Sequence, residues 1–87
     1  MATKVFSKQY TISDTAKWLE DVDLVLYDTN IHIETYPVYY GSGLNQTARL
    51  NVNMVVWFRE VNLHELFFKN VTGGSAGVVS VVGIKEV

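Results

Sequence analysis

From Thr47 to Val56 the side chains alternate with a period of two. Ala48, Leu50, Val52, Met54 and Val56 fall on one face, and Thr47, Arg49, Asn51 and Asn53 on the other. Successive residues of an extended strand point to opposite sides, so this pattern predicts a half-buried antiparallel strand, apolar inside and polar outside. The same period recurs at shorter range. Phe6, Lys8, Tyr10 and Ile12 alternate with Val5, Ser7, Gln9 and Thr11. Val22, Leu24 and Leu26 alternate with Asp21, Asp23 and Val25, and Ile31 and Ile33 with His32 and Glu34. A chain patterned this way folds into sheets.

The punctuation between these runs sets the number of strands. Asp28-Thr29-Asn30 has turn chemistry, because Asx side chains bond nearby backbone and Asn tolerates positive φ. Pro37, the single proline, ends a strand or confines it to an edge, and Val38-Tyr39-Tyr40 follows as a short strand before Gly41-Ser42-Gly43. At Val55-Val56-Trp57-Phe58 both faces turn apolar, which predicts a bulge or a second covered face. Asn62 to Leu66 reads as a turn, Phe67 to Val71 as a strand, and Thr72 to Gly77 as a small-residue loop before a final strand over Val78–Ile84. Ser13 and Asp14 are N-cap residues ahead of Thr15 to Glu20, which predicts one or two helical turns docked on the sheet. The expectation is a single all-β domain over residues 1–87: an antiparallel β-sandwich or small barrel of about seven or eight short strands with one short helical turn. Residues 1–10 form either a docking arm or an edge strand.

Composition narrows the function. With 87 residues the chain buries only about 60% of the surface its unfolded form exposes. Charged residues are 18%, against the roughly 25% usual for soluble domains, which favours self-association. The net charge is −2 and the seven Lys and Arg residues are scattered, so no nucleic-acid footprint is expected. Zero cysteines exclude disulfide scaffolds, zinc ribbons and thiol catalysis. Apolar runs fall far short of the about 20 residues of a membrane helix, and Met1 to Lys8 lacks an apolar signal core.

Groups that could carry chemistry are few. His32 sits on a polar strand face and His64 in a turn beside Glu65, so both are expected as solvated histidines rather than acid–base catalysts. Glu20, Asp21, Asp23 and Asp28 form a loose acidic patch, but no EF-hand register fits: starting at Asp23 the glycine position holds Asp28. Gly73-Gly74-Ser75-Ala76-Gly77 lacks the Gly-Lys-Ser/Thr ending of a phosphate loop. No catalytic residue, cofactor or metal is expected. The triplets Asn45-Gln46-Thr47 and Asn70-Val71-Thr72 match a glycosylation acceptor by chance composition.

The aromatics are more telling. Tyr39-Tyr40 and Phe67-Phe68 are adjacent pairs, and neighbours on a strand cannot both enter one small core. Some rings therefore lie outside, where Tyr and Trp are enriched at interfaces. Tyr39 or Tyr40, Trp57, and Phe67 or Phe68 are the candidate contact residues. Stacked exposed rings also suit sugars, which keeps a carbohydrate-binding module open as a second reading.

Three segments resemble small β-rich structural modules of bacteriophage virions, as found in head-decoration and head- or tail-associated proteins. They are Thr15-Ala16-Lys17-Trp18-Leu19, then Pro37-Val38-Tyr39-Tyr40-Gly41, and lastly Phe58 to Asn70 followed by the Gly-rich turn and Val78-Val79-Ser80-Val81-Val82-Gly83. They lie between Thr15 and Gly83, a stretch of about three quarters of the chain. The resemblance implies a non-enzymatic virion protein, made in the host cytoplasm, that binds a major capsid or other virion protein and copies of itself. A capsid decoration or cement protein is the first expectation, and a neck, tail-tube or baseplate component the alternative. Neither nucleic acid nor membrane is an expected partner.

Overall fold

The computed structural model describes residues 2–42, 45–71 and 76–86. Eight strands run through them: β1 (Thr3–Ile12), β2 (Lys17–Trp18), β3 (Val25–Ile33), β4 (Val38–Ser42), β5 (Asn45–Leu50), β6 (Val55–Asn62), β7 (Leu66–Asn70) and β8 (Gly77–Glu86). They pair antiparallel as β1 with β8, β2 with β7, β3 with β6, and β4 with β5. That is one long ribbon folded back on itself with its tip at β4 and β5. Further pairing of β3 with β8 and of β4 with β7 rolls the ribbon into two sheets, β1-β8-β3-β6 and β2-β7-β4-β5. This connectivity is that of an eight-stranded jelly roll, a double-sheet sandwich.

The two inner faces close on one core. Ile12, Leu26, Ile31, Ile33, Val79 and Val81 come from the first sheet, and Val38, Leu50, Leu66 and Phe68 from the second. Leu63 enters from the turn between β6 and β7, held by its N–H to Leu24 O at 2.9 Å.

β3 is one strand where the sequence pattern predicts two. Asp28-Thr29 forms a bulge rather than a turn: Tyr27 pairs with Ile84 and Asn30 with Val82, so two residues of β3 oppose Gly83 alone. Asp28 takes the left-handed conformation (φ 48°) that the bulge requires. The extra residue moves the inward set from Leu26 to Thr29, Ile31 and Ile33, which is why the alternation changes phase there. Thr29 is fully buried, and a Cβ on Gly83 would stand 2.5 Å from its Oγ1. Glycine opposite the bulge is therefore a steric requirement.

Two further expectations are corrected. Thr15 to Glu20 is not helical: Lys17–Trp18 adds to the edge of the second sheet as β2, and there is no helix among the described residues. A segment this short gains more by pairing with Phe67 and Phe68 than by an unsupported helical nucleus. The long alternating run is also divided. Asn53 turns left-handed (φ 70°) and donates its N–H to Ile33 O, so the run ends as β5 in one sheet and resumes as β6 in the other. β6 itself alternates: Val56 and Phe58 pack on the core while Val55 and Trp57 point outward. The expected glycine turn at Gly43 and the loop over Thr72–Ser75 lie outside the described residues.

Asn70 pins the sheets together where β1, β7 and β8 meet. Its Nδ2 donates to Ile12 O at 2.9 Å and to Asp14 Oδ1 at 3.2 Å, and its Oδ1 accepts the N–H of Gly77 at 2.9 Å. Its own N–H donates to Ser13 O. Buried amides are tolerated only when satisfied in this way.

Candidate interaction surface

The structure sorts the five candidate aromatic residues onto three surfaces. Phe68 is buried and Tyr40 stacks on it, their centroids 5.9 Å apart, so these two belong to the core. Tyr39 and Phe67 are half-buried on the outer face of the second sheet. Trp57 stands on the outer face of the first sheet, 56% exposed. Trp18, which sequence reasoning assigned to a helical turn, joins Phe67: their rings meet edge-on at 5.6 Å, and His64 lies 5.4 Å from Trp18. Lys69 Nζ lies 5.9 Å from the Tyr39 ring. The outward rings of the second sheet are therefore occupied with one another.

The outer face of β1-β8-β3-β6 differs. Its register lays out three cross-strand rows: Val5, Ile84, Tyr27 and Glu60; Ser7, Val82, Asn30 and Trp57; Gln9, Ser80, His32 and Val55. Four of these apolar side chains are open to solvent, Val5 at 67%, Trp57 at 56%, Val55 at 55% and Val82 at 44%. No lysine or arginine lies in the rows. The polar residues tie together instead. Gln9 Nε2 donates to Ser80 Oγ, Ser80 Oγ donates to Glu34 Oε2 at 2.8 Å, and His32 Nδ1 lies 2.9 Å from the same oxygen. The bonds from His32 and Ser80 hold the Glu34 carboxyl below the usual carboxylate range. His32 is thus half-buried and partnered rather than freely solvated, and so is His64, whose Nδ1 lies 2.9 Å from Glu20 O.

The closing strand β8 lies between β1 and β3, so its backbone is paired on both sides and cannot receive a further strand. β1 and β6 are the edges of this sheet. From Thr3 onward the N-terminal segment is an ordered edge strand, paired with β8 from Thr3↔Glu86 to Ile12↔Gly77.

A second feature lies between β1 and β2: an open cleft of about 330 Å³ lined by Lys8, by Tyr10 to Ser13, by Lys17 to Asp21, and by Phe68. Glu20 is its centre. Its Oε2 accepts hydrogen bonds from the Tyr10 hydroxyl and from Lys8 Nζ. These hold the Glu20 carboxyl below the usual range, the Tyr10 bond first, while burial and the neighbouring carboxylate raise the Tyr10 hydroxyl well above its ordinary value. The acidic patch read from sequence is otherwise dispersed into separate bonds. Asp21 accepts from Trp18 Nε1 at 2.8 Å and Asp23 from Asn62 Nδ2 at 2.9 Å. Among the described residues no three metal-ligating side chains converge.

Comparison with known protein families, with curated proteins and with solved structures finds no match to this chain.

Proposed function

We propose that this chain is a non-enzymatic structural protein of a bacteriophage particle, a capsid decoration or cement protein that associates with copies of itself and seats on the shell. The observation that carries the reading is the outer face of β1-β8-β3-β6, where Val5, Val55, Val82 and Trp57 stand open on one continuous sheet surface. Contiguous exposed apolar patches on small proteins mark interaction sites. Strand spacing and rise make such a four-stranded face about 19 Å by about 30 Å, an area of roughly 570 Å², near the about 600 Å² per partner at the lower end of stable interfaces. Rows without lysine or arginine suit a second copy of the same face, because no like-charged cations are brought together.

Adhesion is the mechanism this supports. Each contact gains roughly 25 cal/mol per Å² of apolar surface buried, and repetition over many copies multiplies the effect. The β1 and β6 edges offer backbone groups for strand addition across subunits. The sequence resemblance to virion modules supplies the setting, and the jelly roll is an architecture that hosts capsid domains among many others.

Gold labelling of the protein on intact particles from its source tests the setting. Label spread over the shell is the expected result. Label confined to one vertex or the tail moves the protein to the neck, tail tube or baseplate, and expressed protein with no labelled particle overturns the virion reading.

A further inference from the structure

The cleft between β1 and β2 shares no lining residue with the open apolar side chains Val5, Val55, Trp57 and Val82, and its lining points elsewhere. We infer that it is a binding site for a small neutral saccharide, with Trp18 as the stacking platform and Glu20, Asp21 and Lys8 as the hydrogen-bonding groups.

Three observations carry this. The first is charge balance. Lys8 and Lys17 line the cleft together with Glu20 and Asp21, so neither a cation nor an anion is favoured overall. Such a lining offers donors and acceptors side by side, which is what a ring of hydroxyl groups, each both donor and acceptor, can satisfy. The second is the platform. The Trp18 ring is fixed by its Nε1–H bond to Asp21 and by the ring contacts with His64 and Phe67, yet it remains 36% exposed and lines the cleft. A ring already held in place loses little freedom on binding.

The third is the carboxylate. Both bonds to Glu20 fall on Oε2, and among the described residues none falls on Oε1. Tyr10 and Lys8 thus orient the group while one oxygen stays available to accept from a ligand hydroxyl. At about 330 Å³ the cleft is at the low end of the about 300–1,000 Å³ of ligand pockets, which limits the occupant to a small ligand or the end of a longer chain.

Amide NMR titration of the full chain with methyl β-galactoside, N-acetylglucosamine and maltose tests the site, with glucuronate and inorganic phosphate as anionic probes. At least one neutral sugar is expected to give saturable shifts at the Trp18 indole N–H and at the amides of Tyr10 and Glu20. Trp18→Ala and Glu20→Gln are each expected to weaken that binding at least about tenfold, or 1.4 kcal/mol. Trp57→Ala, on the opposite sheet, is expected to leave it unchanged. Asp21→Asn serves in place of Trp18→Ala if the latter does not fold. No saturable shift from any neutral sugar, saturation by the anions alone, or shifts centred on Trp57 would each overturn the assignment.

Discussion

The two outer faces of this small sandwich treat their apolar side chains in opposite ways. On β2-β7-β4-β5, Trp18, Phe67 and His64 form one ring cluster and Tyr39 carries Lys69, so each large group is shielded by a neighbour. On β1-β8-β3-β6, Val55, Trp57 and Val82 have no such cover. Both faces hold residues that a hydropathy profile would mark alike. What separates them is how far the surrounding side chains already use the apolar surface: the β1-β8-β3-β6 face leaves several such side chains for another molecule, the β2-β7-β4-β5 face the exposed part of Trp18 beside the cleft.

The largest test of this division contrasts an adjacent pair. Phe68→Ala should cost about 3–5 kcal/mol in urea unfolding, as a large buried ring is lost. Phe67→Ala, one residue away on the outer side, should cost about 1 kcal/mol through its ring contact with Trp18. Equal losses would mean that the inside and outside of β7 are misassigned. Next in size is the bulge. Gly83→Ala places a methyl group against Thr29 and should cost about 1–3 kcal/mol, with a smaller loss when Thr29→Ala is present, since the two sites share one contact. Additive losses would show that the clash is not with Thr29.

Smaller still is the stability effect expected on the open face. Trp57→Ser should change unfolding free energy by no more than about 0.5 kcal/mol while abolishing self-association, whereas Phe67→Ala should leave self-association intact. The last expectation concerns pH. The Glu20 carboxyl is held low by the Tyr10 hydroxyl and Lys8, so its folded state binds a proton less readily than the unfolded chain. Its contribution is present above the ordinary carboxylate range and fades as pH falls through its lowered folded value. Raising the Tyr10 hydroxyl has the opposite sign: its contribution is present below the ordinary tyrosine range and is lost toward high pH. Urea midpoints across pH should show a small acid-side loss that Glu20→Gln removes.

Much of the fold was legible because the period-two pattern is a local signal. β1, β4, β7 and β8 appear where the alternation places strands, and the argument that adjacent rings must split between faces is met by Tyr39 and Tyr40 and by Phe67 and Phe68. Misread positions are those where tertiary pairing overrides local chemistry. Asp28-Thr29-Asn30 has the composition of a turn, yet both neighbours of β3 continue past it, so the chain bulges instead of reversing. Asn51 to Met54 keeps perfect alternation through a real turn, because alternation persists when a chain passes from one sheet to the other. The cleft was invisible for a different reason. Lys8 and Tyr10 lie on β1 and Glu20 beyond β2, segments that meet only when the ribbon rolls up, and no spacing in the sequence announces the contact.

Sedimentation equilibrium of the intact protein, beside a Val55→Lys/Trp57→Asp variant of unchanged circular dichroism, tests the central claim most directly. The account predicts concentration-dependent association of the native chain and a monomer for the variant. A native chain that stays monomeric at high concentration, or a variant that associates as well as the native chain, would contradict it.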